Sequence, residues 1–289
     1  MDFRTDLALE RHEEIRADSP EGVISETYEK CGIAFTKIRV TDSRGEHSLG
    51  KPVGTYITAE IPSIISQYPV KEELVDAIGG ELRALLPSQG TVLVVGLGNT
   101  DITPDAVGPR SVSLVLATRH ISAELSESVG LGELRSVAGF VPGVLGKTGV
   151  ETAESVKGLV QTVKPSAVIV VDALAARRLK RLGNTVQMSD TGITPGSGVG
   201  NSRAAIDRKT LGVPVISVGI PTVVDAQTLV SDLTDDKTEI SREENKKMII
   251  TPREIDLVIE RASGLIGLSI NKALQPHLSV DEMMMLVGN

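Results

Sequence analysis

Three apolar runs constrain this chain more than any other feature: Val92-Leu93-Val94-Val95, Ala167-Val168-Ile169-Val170-Val171 and Val213-Pro214-Val215-Ile216-Ser217-Val218. A strand with one wet face alternates apolar and polar residues, whereas a strand covered on both faces does not. Helical stretches are expected between the runs, at about 104–118 and 150–164. Strand and helix in alternation predict an α/β fold: a mainly parallel, buried sheet with helices on both faces. Pro214 has no N–H to give to a ladder, so it belongs at the start or edge of its strand.

The flanks fill in the organisation. Residues 22–64 read as strands, with Gly32–Val40 partly alternating and Thr41–Gly45 as a turn, so a β-rich N-terminal part precedes the main sheet. Leu74, Ile78, Leu82 and Leu85 have helical spacing over 71–86. Thr148-Gly149-Val150-Glu151 has the spacing of a capping box. Thr251-Pro252-Arg253-Glu254 offers an N-cap, a first-turn proline and a capping-box glutamate for a long C-terminal helix. Ser231–Lys247 reads as a polar surface excursion. Residues 1–20 read as a polar extension and 21–289 as one α/β domain.

Composition removes several function classes. Net charge is −8, a poor match to a polyanion, and only 2% of residues are aromatic, too few for base-stacking platforms. No nucleic-acid partner is expected. Nine charged residues in the first eighteen leave no room for an apolar leader, and no run of some 18 apolar residues occurs, so no membrane span and a cytoplasmic location are expected. Cys31 is the single cysteine and His12, His47, His120 and His277 are scattered, so no metal-ligand spacing is present and no cofactor is expected.

Three glycine-rich segments come close to known loops. Gly96-Leu97-Gly98-Asn99-Thr100-Asp101 puts an aspartate where a dinucleotide fingerprint needs its third glycine. Gly143-Val144-Leu145-Gly146-Lys147-Thr148 has two residues between glycines where a phosphate loop has four. Ser197, within Pro195-Gly196-Ser197-Gly198, lacks the glycine two residues before it that a nucleophile elbow requires. Gly196, Ser197 and Gly198 remain candidates for a loop beside a substrate.

Carboxylates remain. Asp172 follows an apolar run, at the strand end where open α/β sheets gather their ligands. Asp105 follows Thr103-Pro104, a helix start, in the loop after the strand ending near Val95. Asp101, Asp190 and Asp225 also lie after or near strands, and spacing does not choose among the five. Two carboxylates sharing one proton can hydrolyse an amide, the ionised one taking a proton from water while the protonated one polarises the carbonyl.

Six segments then fall in order: Val94–Asn99, Thr103–Pro109, Val141–Gly149, Val171–Arg177, Ser189–Asn201 and Gly219–Ala226, with Arg4-Thr5-Asp6-Leu7-Ala8 before them and Thr251–Asp256 after. Together they resemble the germination proteases of spore-forming bacteria. The resemblance implies an atypical aspartic endopeptidase that degrades small acid-soluble spore proteins in the spore core. It implies a fold similar to hydrogenase maturation endopeptidases, a homotetramer, and a zymogen that removes its own propeptide. By motif match it assigns catalysis to Asp105 and Asp172. It places self-cleavage between Asp6 and Leu7, with residues 1–6 as propeptide. Two alternatives stand beside it: a metal-dependent peptidase of hydrogenase-maturation type, with His120 as a ligand, and a peptide-binding protein without catalysis.

Overall fold

The structure is a computed structural model. It describes residues 4–15, 20–66, 70–200, 203–226, 228–230 and 248–287. The polar excursion expected at Ser231–Lys247 lies outside the described residues.

Among the described residues nine strands form one sheet: β1 (Val23–Lys30), β2 (Ile33–Val40), β3 (Gly54–Glu60), β4 (Val92–Gly96), β5 (Val137–Phe140), β6 (Ala167–Ala176), β7 (Thr185–Ser189), β8 (Val215–Asp225) and β9 (Ile249–Ile250). They run in the order β1-β2-β3-β7-β8-β6-β4-β5, with β9 beside β8. The α/β class is as expected. The three apolar runs become β4, β6 and β8, and with β5 they make a parallel block. The pairs among β1, β2, β3, β7 and β8, and that of β8 with β9, are antiparallel, so the whole sheet is mixed rather than mainly parallel. The reason lies in the connections. β1 and β2 are joined by the two residues Cys31 and Gly32, both at positive φ, a link that only an antiparallel pair can use.

Both faces of the parallel block are covered. Ile169 and Val171 of β6 pack in one core with Ile78 and Leu82 of helix Glu72–Ala84 and Ile259 and Ile266 of helix Ile255–Leu274. Val168 and Val170 point the other way, onto Val156 and Val160 of helix Thr152–Val163. This alternation explains why the β6 sequence is apolar without a break.

Local details correct the boundaries. Thr41–Gly45 leads into helix Ser43–Leu49, because Asp42 accepts from the Arg44 and Gly45 amides and caps it. The stretch 104–118 holds only a 3-10 turn, Thr103–Asp105, and a short helix, Val107–Val112. Thr148 and Thr251 cap nothing. Their hydroxyls donate to the carbonyls of Val144 and Thr222, and the following helices begin at Thr152 and Ile255.

The described part of residues 1–20 is more than a polar extension. Ala8–Glu14 is helical, Leu7 is fully buried, and Ala8 and Leu9 pack on Ile38, Val40 and Tyr56. Its acidic residues are spent on the body of the fold. Glu10 is buried and accepts from the backbone amides of Arg177 (2.7 Å) and Arg178 (2.9 Å). Glu13 pairs with buried Arg181 at 2.7 Å, and Glu14 pairs with Arg177.

Candidate active site

Strand β6 continues through Ala176, so Asp172 lies mid-strand instead of at its end. Its neighbour is what stops. β4 pairs with β6 only as far as Gly96 opposite Val171, and one residue later the sheet opens. The chain leaving β4 folds into that gap. The Leu97 amide donates to the Val171 carbonyl at 2.8 Å, and the Asn99 amide donates to Asp105 Oδ2 at 2.9 Å. Gly98 sits at φ 116°, and a Cβ there would lie 1.9 Å from the Asp105 carbonyl oxygen, so only glycine lets the two loops meet. On the far side, a bulge in β8 opposite Leu174 and Ala175 turns buried Thr222 inward, and its hydroxyl donates to the Pro104 carbonyl at 2.8 Å. Asp105 is thus held from β4, β6 and β8 together.

Asp105 and Asp172 line one cleft of about 600 Å³, together with Gly98, Asn99, Gly143–Gly146, Gly196 and Asp6. Burial raises the Asp105 carboxyl to about 6, against the opposing pull of the Asn99 amide. Burial raises Asp172 well above the usual carboxylate range, and the charges of Asp105 and Asp6 push it further. Both shifts favour the protonated carboxyl, and the charge of Asp105 couples the titration of Asp172 to its own.

The other three carboxylates have work elsewhere. Asp101 is exposed and paired with Lys147. Asp190 accepts from the Thr55 amide at 2.7 Å, beside Gly54 at the start of β3. Asp225 accepts from Thr228 and faces Arg4 at 3.6 Å. His120 is exposed and is not among the residues lining the cleft. Among the described residues no group of three or more His, Cys, Asp or Glu is placed to hold a metal.

Asp6, which the resemblance places at the self-cleavage point, reaches the same cleft. Its amide donates to the Ala175 carbonyl at 2.9 Å, and its carboxylate accepts from the Ala175 amide at 2.8 Å and the Ser197 hydroxyl at 2.8 Å. A Cβ on Gly198 would lie 2.2 Å from Asp6 Oδ2, so that glycine makes room for the carboxylate. Leu7 packs on Leu174, Ala176 and Val224. Asp6 thus lies in the cleft, and the Gly196–Gly198 loop closes over it.

The burial of Asp105 has a consequence for stability. Asp105 ionises near pH 4 in the unfolded chain and near 6 in the folded one, so the folded state loses stability as pH rises between those values. Asp105→Asn removes that loss while keeping an oxygen for the Asn99 amide. At pH 8 it should gain about 2 kcal/mol over the parent in urea unfolding, and at pH 4 the difference should vanish.

The profile of the family described as "Germination protease" matches residues 4–238. The chain belongs to the germination protease family. The germination protease of Caldanaerobacter subterraneus subsp. tengcongensis is 43% identical over 320 residues, covering 99% of this chain and 98% of that protein. That of Clostridium tetani is 39% identical, covering 98% of each. Among solved structures, a [NiFe] hydrogenase maturation protease, HycI from Thermococcus kodakarensis KOD1, aligns with 66% of this chain and 98% of its own at 17% identity and a TM-score of 0.34, too slight a likeness to bear on function. Membership in the germination protease family makes the chain a peptidase of germination, acting on protein. Among the described residues no helix is long and apolar enough to cross a membrane.

Proposed function

We propose that this germination protease is an aspartic-type endopeptidase that cleaves small acid-soluble spore proteins, with Asp105 and Asp172 activating one water. The observation that carries this reading is the shared cleft. Both carboxyls line it, and the charge of Asp105 helps keep Asp172 protonated. Asp105, less strongly shifted, is the base: above about pH 6 it takes a proton from water. Asp172 is the acid and gives its proton to the departing amine.

The same reading makes the chain a zymogen. Asp6 and Leu7 flank the self-cleavage point, and Asp6 occupies the cleft until it is cut. Assembly as a homotetramer in the spore core completes the proposal.

Incubation with a purified small acid-soluble spore protein, with and without a chelator, tests it. Mass spectrometry should find discrete cleavage products, equal in amount under both conditions, and a protease chain that begins at Leu7. Activity lost to chelator and restored by a divalent ion would overturn the two-carboxylate mechanism. Tight binding of the spore protein without products would overturn the enzymatic role.

A further inference from the structure

We infer that Lys51 and Gln187 are catalytic residues that grip the carbonyl oxygen of the peptide bond being broken. The inference rests on the reading of Asp6–Leu7 as the self-cleavage point.

Two side-chain donors converge on one backbone oxygen. Lys51 Nζ donates to the Asp6 carbonyl at 2.9 Å, and Gln187 Nε2 donates to the same oxygen at 3.0 Å. The Gln187 amide is fixed in this orientation, because its Oε1 accepts from the Ala8 amide at 2.6 Å and its NH2 group must then face Asp6. One side chain therefore spans both ends of the Asp6–Leu7–Ala8 stretch. Lys51 arrives from the other side, just after Gly50 ends helix Ser43–Leu49 in the left-handed conformation. The Lys51 amine is buried and hydrogen-bonds this carbonyl while the charges of Asp6 and Glu10 act on it from nearby.

The register of the sheet places Gln187 relative to Asp172. Gln187 of β7 pairs with Gly219 of β8, and Gly219 pairs with Asp172 of β6. Residues in one such row share a face of the sheet. Gln187 and Asp172 thus stand on the same face, two strand spacings or roughly 10 Å apart, with a glycine between them. The Leu174 side chain takes the space over that glycine. Asp6 lies between two cavities, lining the aspartate cleft on one side and, on the other, a second cavity bordered by Lys51, Gln187 and Gly219.

This is the division of labour that amide hydrolysis needs. Water oxygen bonds to the Asp6 carbonyl carbon while its proton passes to the ionised carboxylate. The C=O electron pair moves onto oxygen, and the resulting alkoxide lies between Lys51 Nζ and Gln187 Nε2. Return of that pair re-forms C=O and breaks the C–N bond, and the protonated carboxyl delivers its proton to the Leu7 nitrogen. A charged donor gains more from an alkoxide than from a neutral carbonyl, so the contact lowers the barrier rather than merely binding the ground state.

The test uses Lys51→Met, Lys51→Arg and Gln187→Glu in the full chain. Each is followed by intact mass for self-cleavage, and thermal melting checks the fold. Lys51→Met and Gln187→Glu should each slow cleavage at Asp6–Leu7 by roughly 100-fold or more, and Lys51→Arg should recover part of the rate. In chains begun at Leu7, the same changes should lower kcat on a spore protein more than they raise KM. Should Lys51→Met fail to melt cooperatively, Lys51→Gln replaces it and should cut at least about 10-fold more slowly than the parent. Folded Lys51 and Gln187 variants that cut as fast as the parent overturn the inference. A parent chain that never loses residues 1–6 overturns the cleavage point instead, and the kcat comparison then decides the role of Lys51 by itself.

Discussion

Asp172→Asn should lower cleavage of a spore protein at least about 1000-fold and leave a chain that still unfolds cooperatively. The substitution is close to isosteric. The asparagine oxygen can still accept from the Ala173 amide, which now donates to Asp172 Oδ1 at 2.9 Å. The buried side chain loses only its ability to hold and release a proton, and a buried group freed of the cost of ionisation does not weaken the fold. Asp105→Asn should cost a comparable factor through loss of the base. The double variant should be little worse than either single one, because the two carboxyls act as a unit. Initial rates on purified spore protein and melting curves by circular dichroism check all three. A rate within a few-fold of the parent in either single variant removes that residue from the chemistry.

Glu10→Ala should cost about 3 kcal/mol in urea unfolding and release the N-terminal helix. Glu10 is almost fully buried, yet each of its carboxylate oxygens accepts a backbone amide, from Arg177 and Arg178, and the Thr5 hydroxyl donates to it as well. Alanine satisfies none of them, and a buried N–H without a partner costs about 1–3 kcal/mol. The same loss loosens the turn that presents Asp6, so self-cleavage should slow in step. Hydrogen exchange at residues 4–15 would report the release directly. Unchanged protection there would mean that Leu7 and Leu9 hold the segment without Glu10.

The parallel block was legible because burial on both faces leaves a mark that sequence shows directly, an apolar run without alternation. The antiparallel half left a fainter one. β7 is five residues, Thr185–Ser189, and its partners are fixed by contacts distant in sequence. Asp172 was legible as a carboxylate after such a run, although the strand proved to continue past it while β4 stopped. The N-terminal segment misled for a physical reason. Charged side chains normally mark a wet face, but Glu10, Glu13 and Glu14 are matched to backbone amides and arginines that lie far along the chain. Gln187 did carry a signal, a lone amide side chain between Val186 and Met188, all three buried in the sheet. Lys51 carried none, because its partner is a carbonyl oxygen that any residue could have supplied.

If the proposed self-cleavage at Asp6–Leu7 holds, the seating of Asp6 in the cleft makes the first substrate part of the enzyme itself. A segment anchored by Leu7 and a helix a few residues long faces the carboxyl pair at an effective concentration in the millimolar range. Removal of residues 1–6 within one chain is then first order, with a half-life that does not change on dilution. External protein must compete with this tethered occupant until it is gone, so digestion of a spore protein by freshly made enzyme begins with a lag, and the lag lasts as long as that half-life whatever amount of substrate is added.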